Sequence, residues 1–234
     1  MDPANRKPPT ARTAKPLSKG ALGALPGQLK RLHQTIRGCS KCFKKGDNCP
    51  VAGTGLPQRG GLFLIGQAPG IKEPVAQKNF AWTAGRRLFK WFNTIGMTEE
   101  LIRENGYITA VTKCYPGKNP KGTGDRKPTP LEIANCAPYL DEALRLLAPR
   151  VVVLIGSMAI ERILGFKKMS ETIGIEFEKD LPGGPAFVIP IPHPSGASPW
   201  PYFPENKKKL DRSFALIKER LRREGLYSRF TPNP

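Results

Sequence analysis

Four apolar runs, rich in aliphatic residues and hydrophobic on both faces, recur along the chain. They are Leu62–Ile65, Tyr107–Val111, Val151–Ile155 and Phe187–Ile191. Runs that do not alternate between apolar and polar positions are typical of strands buried in a parallel sheet. We therefore predict four parallel strands at the centre of the fold.

Helical spacing of apolar positions occurs before, between and after these runs. It predicts helices over Gln28–Ile36, Ala84–Ile95, Pro130–Leu147, Ser157–Leu164 and Pro204–Arg223. Pro130 and Pro204 stand in the first helical turn, where proline is favoured. Strands that alternate with helices predict an α/β fold with right-handed crossovers. The expected architecture is a three-layer α/β/α sandwich around a central four-stranded parallel sheet.

The segments that follow the strands hold the unusual residues of the chain. They are GQAPG (66–70), KCYP (113–116), GS (156–157) and PHPS (192–195). Ligands of open α/β sheets bind beyond the carboxyl ends of the strands, so the topology predicts a functional site at this rim. GQAPG lacks the glycine spacing of a dinucleotide fingerprint, and the sequence has no Walker motif. We therefore expect no nucleotide cofactor.

Composition adds a partner to this picture. The 234 residues include 38 Lys and Arg against 19 Asp and Glu, which gives a formal net charge of +19. Such an excess favours binding to nucleic acid, although a solvated basic surface has the same composition. Residues 1–26 are basic, rich in proline and alanine, and aperiodic. They predict a disordered basic arm, followed by one folded domain over residues 27–234.

Hydropathy and repeats bear on location and assembly. The apolar runs are far shorter than the ~20 residues that a membrane span needs. The N-terminus has no apolar segment of the kind found in secretory signals. We therefore expect a cytoplasmic, nucleoid-associated protein without a membrane partner. The chain has no heptad pattern or internal repeat, so we expect a monomer.

Five cysteines in a chain without an export signal favour a metal site or reactive thiols over disulfides. Cys39 and Cys42 form a Cys-x-x-Cys pair, Cys114 follows the second strand, and Cys136 lies in the next helix. This spacing suits zinc or an iron–sulfur cluster without deciding between them, and Cys49 leaves the ligand set open. Alternatively, Cys114 and Cys136 are buried hydrophobic residues.

His193, one of two histidines, lies between prolines at the end of the fourth predicted strand. Its rigid backbone and its place at the rim indicate a functional side chain, with a structural histidine as the alternative. The loop after Cys114 carries the basic residues Lys118, Lys121, Arg126 and Lys127. This loop suits contacts to phosphates, unless it is only solvated. Trp200 lies among aromatic residues that either stack on bases or cover the edge of the core.

Together these motifs resemble the uracil-DNA glycosylase superfamily, in particular its iron–sulfur branch, families four and five. The matching segments are GQAPG (66–70), NFAWTAG (79–85), ITAVTKCYPG (108–117), PLEIANC (130–136) and HPS (193–195). They occur in the family's order. The resemblance implies a DNA glycosylase of base excision repair, which flips uracil, a deaminated cytosine, out of DNA and hydrolyses its N-glycosidic bond.

The resemblance also implies roles for individual residues. His193 stabilises the departing uracil anion, while Gln67 hydrogen-bonds the edge of the base and Phe80 stacks on its face. The residues that bind the base are Gly66, Ala68, Pro69, Gly70, Phe80 and Ala110. A 4Fe-4S cluster of mainly structural function is bound by Cys39, Cys42, Cys114 and Cys136. The residues expected to contact DNA are Lys118, Lys121, Arg126, Lys127, Ser195 and Trp200.

Three positions depart from the family pattern. Ala68 stands where many members have a water-positioning aspartate, and Thr83 stands where family five has another aspartate. Ala110 stands in place of the pocket asparagine of most branches. Glu73 is the nearest acidic candidate for positioning the water. The departures leave as alternatives a non-catalytic DNA-binding homologue, a glycosylase for another deaminated base, or one that links covalently to DNA.

Overall fold

The computed structural model describes residues 25–44, 50–120, 122, 124–165, 168–196, 200 and 203–232. The predicted basic arm lies outside these residues except for Leu25 and Pro26, which form the start of the first helix. Lys121 and Cys49 also lie outside the described residues. Within the described part of the chain, no helix is long and apolar enough to cross a membrane.

The core of the fold is one sheet of five strands among the described residues. The strands are β1 (Leu62–Gly66), β2 (Tyr107–Ala110), β3 (Val151–Ile155), β4 (Phe177–Leu181) and β5 (Gly184–Ile191). Their order across the sheet is β2-β1-β3-β5-β4. The four predicted strands pair in parallel, as expected. Strands β1, β2 and β3 are buried along their whole length, which explains why their sequences are apolar on both faces.

The sequence reasoning missed strand β4, so the sheet has five strands rather than four. β4 pairs antiparallel with β5 at the edge of the sheet, in the register Leu181 with Gly184. Its central residues, Glu178, Lys179 and Asp180, are exposed. Charged side chains on an edge strand hinder pairing with other chains, and they also hide the strand from a search for apolar runs.

Seven α-helices surround the sheet in the described part of the chain. They are α1 (Leu25–Arg37), α2 (Glu73–Ala76), α3 (Thr83–Asn93), α4 (Glu99–Asn105), α5 (Pro130–Leu147), α6 (Ser157–Leu164) and α7 (Pro204–Arg223). The last three have the predicted bounds. The short helices α2 and α4 were not predicted. Thr98 precedes α4 and caps it, because its side chain accepts a hydrogen bond from the backbone N–H of Leu101 at 3.3 Å.

The two faces of the sheet are covered by different helices, which confirms the three-layer arrangement. Apolar residues of α3, α4 and α7 pack against one face, where Leu64 and Val153 are completely buried. Apolar residues of α1, α5 and α6 pack against the other face, where Ile65 and Val152 are completely buried. Alternate residues of each strand therefore point into separate cores.

Candidate active site

The predicted site residues after β1 and β2 lie side by side at the carboxyl rim of the sheet. Gly66 and Ala110, the last residues of the two strands, are register partners. Beyond them, the backbone N–H of Val111 donates to the carbonyl of Gly66 at 2.9 Å. The N–H of Thr112 donates to the carbonyl of Gln67 at 3.1 Å. These bonds hold the beginning of the first motif against the segment that leads to Cys114.

The ring of Phe80 packs directly against Gly66. A Cβ atom at Gly66 would lie 2.8 Å from Cζ of Phe80, which is too close for any side chain. Phe80 itself has a positive φ of 54°. A Cβ atom at Gly85 would lie 1.8 Å from the carbonyl oxygen of Phe80. Glycine is therefore required at both positions to seat this phenylalanine at the end of β1.

Two residues that sequence reasoning missed hold the backbone around Phe80. The guanidinium of Arg103 donates to the carbonyls of Asn79 at 3.0 Å and Phe80 at 2.9 Å. The Asn79 side chain donates to the carbonyls of Ala52 at 2.9 Å and Ile108 at 3.2 Å. Arg103 lies on α4, and no local pattern links that helix to the Phe80 segment. Asn79 is buried, and a buried amide with such partners fixes the chain around it.

His193 follows β5 and lies on the same side of the rim as Phe80. The two ring centroids are 6.4 Å apart. Gly156 at the end of β3 has a φ of +88°, and a Cβ atom there would lie 3.1 Å from Cβ of His193. The turn after β3 thus leaves room for the histidine. Gly66, Phe80 and His193 come from three distant parts of the chain and form what we call the base pocket.

The protonation of His193 follows from its surroundings. The backbone N–H of Ser195 donates to Nδ1 of His193 at 3.2 Å, so Nδ1 is an acceptor. Burial lowers the pKa of His193 below its ordinary value, and the nearby charge of Asp125 opposes this only in part. At neutral pH the ring is therefore neutral, with its proton on Nε2. A neutral imidazole of this tautomer is a hydrogen-bond donor.

Glu73, the acidic candidate from the sequence, is buried beneath the first motif. Its carboxylate accepts hydrogen bonds from the backbone N–H groups of Phe80 and Gly70. Burial raises the pKa of Glu73 to about 7, although these hydrogen bonds and Arg103 lower it. The carboxylate thus links the first motif to the Phe80 segment. Because its oxygens are hydrogen-bonded to the backbone, the place of Glu73 in the structure favours a structural function over positioning a water.

The loop between Cys114 and α5 folds back on itself as a short arch. Lys118 and Asp125 form an antiparallel bridge, and the N–H of Arg126 donates to the carbonyl of Gly117 at 2.9 Å. Lys118 and Lys127, two of the predicted DNA contacts, are exposed on this arch. Asp125 is also exposed, and the sequence did not single it out because basic residues surround it. The arch brings both signs of charge to the rim.

Arg126 has a different environment from that of Lys118 and Lys127. Its guanidinium donates to both carboxylate oxygens of Glu132, at 2.8 Å and 2.6 Å. Glu132 also completes a capping box with Thr129 at the start of α5. Arg126 lowers the pKa of Glu132 to about 2. Arg126 therefore ties the arch to helix α5.

Ser195 and Trp200 lie beyond His193. Ser195 is half-buried and positions the histidine through its backbone N–H. Trp200 is half-buried as well. Trp82, which was not predicted as a site residue, is 54% exposed two residues after Phe80. The cations of Lys72 and Arg86 lie 5.4 Å and 5.6 Å from the centroids of its rings.

Four cysteines converge on the other side of the β2 end, and we call them the thiol cluster. They are Cys39, Cys42, Cys114 and Cys136. All four are free thiols, and the Cys114 thiol lies within electrostatic range of the other three. Cys42, Cys114 and Cys136 line one small cavity. Asn135 donates to Sγ of Cys42 at 3.4 Å, and the hydroxyl of Tyr139 is hydrogen-bonded to Cys39.

Comparison with known proteins agrees with this geometry. The family model of the uracil DNA glycosylase superfamily matches residues 53–218, which is more than half of the chain. This chain belongs to the uracil-DNA glycosylase superfamily. The matched segment contains the base pocket and two of the four clustered cysteines. The resemblance stated from the motifs is therefore confirmed.

Named relatives place the chain nearer to one branch of the superfamily. It is 32% identical to the type-4 uracil-DNA glycosylase of Archaeoglobus fulgidus over 190 residues, which is 79% of this chain and 88% of the relative. It is 32% identical to the type-4 enzyme of Saccharolobus solfataricus over 197 residues, 80% of this chain and 83% of the relative. A type-5 enzyme of Pyrobaculum aerophilum is 32% identical over 90 residues, 35% of this chain and 37% of the relative.

The thiol cluster fits the metal group that this branch implies by its chemistry. Among the described residues, no group of three or more His, Cys, Asp or Glu side chains is arranged to hold a metal ion. An iron–sulfur cluster spaces its four thiolate ligands more widely than one ion does. Burial, followed by the neighbouring thiols, raises the pKa of Cys114 to about 12. Burial also raises the pKa of Cys136, and an iron–sulfur centre would supply the positive charge that favours the thiolate form of both.

The departures from the superfamily pattern alter the pocket wall in this chain. Ala68 is half-buried and Ala110 is buried, and neither side chain has a polar atom. Thr83 is exposed at the start of α3, where Arg86 donates to its hydroxyl at 3.3 Å. None of these three positions supplies a carboxylate to the site. A carboxylate at this rim therefore has to come from another segment of the chain.

Proposed function

We propose that this protein is a uracil-DNA glycosylase of base excision repair, which hydrolyses the bond between uracil and deoxyribose in DNA. Type-4 uracil-DNA glycosylases are about 32% identical to it over about 80% of its length. The pocket motifs of the superfamily lie together at one rim of the sheet. The substrate base has to leave the DNA stack to reach such a pocket, at an energetic cost that the enzyme must offset.

The base pocket holds the flipped uracil between a flat apolar face and a polar edge. Phe80, seated against Gly66, stacks on the base. Gln67 and the backbone of the GQAPG loop hydrogen-bond the edge of the base, with Ala68, Pro69 and Gly70 as the floor. Ala110 presents only a methyl group to the ring. Because it cannot read the edge of the base, this wall admits other deaminated bases more readily than an amide would.

The position of His193 beside Phe80, with its Nδ1 accepting a hydrogen bond from Ser195, is the observation that carries this proposal. Negative charge develops on uracil O2 as the bond between N1 and C1′ breaks. A donor at Nε2 stabilises that charge more than it stabilises the neutral base in the ground state, so it lowers the barrier. The hydrogen bond from Ser195 fixes this tautomer without a carboxylate. A neutral donor also avoids placing a full positive charge in a buried pocket.

We further propose that the thiol cluster binds a 4Fe-4S cluster through Cys39, Cys42, Cys114 and Cys136. When bound, such a group supplies a cross-link among three chain segments and positive charge to offset the buried thiolates. Hydrolysis of the glycosidic bond requires no electron transfer. The residues around it then hold the end of α1, the end of β2 and the start of α5 in fixed positions next to the arch.

DNA contacts come from the basic arch and from aromatic residues near the pocket. Lys118 and Lys127 are exposed, and they bind phosphates together with Lys121. Arg126 positions the arch through its two hydrogen bonds to Glu132. Ser195 and Trp200 meet the DNA next to the flipped nucleotide. An expected consequence is affinity that falls as the salt concentration rises.

Release of free uracil tests the proposal. The intact protein is mixed with single-stranded and U·G duplex oligonucleotides, with thymine and hypoxanthine oligonucleotides as controls. Abasic sites are then revealed by alkaline cleavage. We expect excision of uracil from at least one substrate and none of thymine. Tight binding without release of any base would instead support the non-catalytic DNA-binding protein.

A further inference from the structure

The hydrolytic step needs a group that takes a proton from the attacking water, and the matched motif positions do not provide one. Ala68 and Thr83 have no carboxylate. Glu73 has one, but its oxygens accept hydrogen bonds from the backbone N–H groups of Phe80 and Gly70 beneath the first motif. A different carboxylate at the rim has the access to water that these residues lack.

Asp125 belongs to the arch that follows β2, and its carboxylate lies next to the first motif. Its Oδ2 is 3.9 Å from the point where a Cβ atom of Gly70 would lie, so it borders the first motif. Its negative charge acts on His193. Asp125 is exposed, whereas the carboxylate of Glu73 is buried. Water therefore has access to Asp125.

Independent contacts hold Asp125 in this position. The hydroxyl of Tyr115, a buried residue, donates to Oδ1 of Asp125 at 3.0 Å. The backbone of Asp125 bridges to Lys118 across the arch. The next residue, Arg126, anchors the arch to Glu132 on α5 through two hydrogen bonds. An exposed carboxylate that is fixed through both its side chain and its loop is preorganised for a task.

We propose that Asp125 is the catalytic base that activates the water, and that Tyr115 is its positioning residue. This inference rests on the proposed glycosylase function. The water oxygen forms a bond to C1′ as the C1′–N1 bond breaks, and the bonding electrons leave with the uracil anion. The proton of the water passes to Asp125 and then to solvent, while His193 donates its hydrogen bond to the anion. The carboxylate comes from the arch instead of the first motif.

Single-turnover excision of uracil by the intact protein tests this assignment. Asp125→Asn keeps the shape of the side chain and removes the base, so the rate of the chemical step is expected to fall by about 100-fold or more. The affinity for uracil-containing DNA should not weaken. Asp180→Asn, on the exposed edge strand β4, is the matched control and should keep the wild-type rate.

Chemical rescue separates a catalytic from a merely structural carboxylate. Sodium formate is expected to restore part of the rate of Asp125→Ala and none of the rate of His193→Ala. Tyr115→Phe should reduce the rate less than Asp125→Asn does, with unchanged DNA affinity. A wild-type rate in Asp125→Asn, or a loss that only follows weaker DNA binding, would overturn the assignment. Absence of excision by the wild-type protein would contradict the proposed function itself.

Discussion

The base pocket and the thiol cluster meet at the end of β2 but are built in opposite ways. Ala110 ends the strand in the pocket, and Cys114 follows four residues later in the cluster. The pocket depends on close steric fits, such as the ring of Phe80 against Gly66. The thiol cluster brings together polar atoms from three segments, and burial and mutual repulsion oppose the ionised form of Cys114.

This difference separates the functions of the two regions. The pocket is held by backbone hydrogen bonds and by the packed core that includes Phe80, so it needs no added group to keep its shape. The thiol cluster lies in loops and at helix ends, and it becomes a stable crosslink only when a metal group joins its sulfurs. We therefore assign the chemistry to the pocket and mechanical support of the arch to the cluster.

Removing one thiol should have the largest effect on stability. Cys114→Ala is expected to lose the visible absorbance of the iron–sulfur cluster. The variant should also lose several kcal/mol of unfolding free energy. For a chain of this size, that loss corresponds to a fall in Tm of on the order of 10 °C. Cys49→Ala is the control, since Cys49 is not part of the proposed ligand set. A Cys114→Ala protein with full absorbance and unchanged Tm would show that the four thiols do not hold the cluster.

Glu73 should make stability depend on pH. Burial raises its pKa from 4.5 to about 7, so the folded state keeps a proton that the unfolded chain has already lost. The contribution of protonated Glu73 to the free energy of unfolding is fully present below pH 4.5 and is lost as the pH rises to about 7. Above that pH, the free energy of unfolding of Glu73→Gln should exceed that of the wild type by on the order of 3 kcal/mol.

The difference between the two proteins, from denaturant titrations across this range, is the quantity to measure. His33 has the opposite pH dependence, because burial lowers its pKa to about 4, and it is common to both proteins. The difference therefore isolates Glu73. A gain in stability that does not change with pH would mean that folding does not raise the pKa of Glu73.

A single methyl group tests the steric construction of the pocket. Gly66→Ala would place Cβ 2.8 Å from Phe80. The displaced ring should reduce stability by about 1–3 kcal/mol and the excision rate by up to about 100-fold. Gly27→Ala, whose Cβ would have its nearest neighbour 3.7 Å away on α1, is the matched control. Equal rates for Gly66→Ala and the wild type would show that the position of Phe80 does not matter for catalysis.

The parts of the molecule that follow from local pattern were predictable from the sequence. Buried strands such as Val151–Ile155 can be recognised in the sequence because they are apolar on both faces. The parallel topology then places His193 and Gly66 at one rim. Strand β4 was not predicted because an exposed, charged edge strand has no apolar run. Asp125 and Arg103 escaped because their roles arise from contacts between distant segments, which no spacing of residues expresses.

Single-turnover release of uracil by His193→Ala, with the cluster absorbance recorded on the same sample, tests the central claim most directly. We expect the absorbance and Tm to match those of the wild type. The rate should fall by roughly a hundred- to a thousand-fold, because one donor to the developing anion is lost. A wild-type rate in this variant with an intact cluster would contradict the assignment of the chemistry to the base pocket.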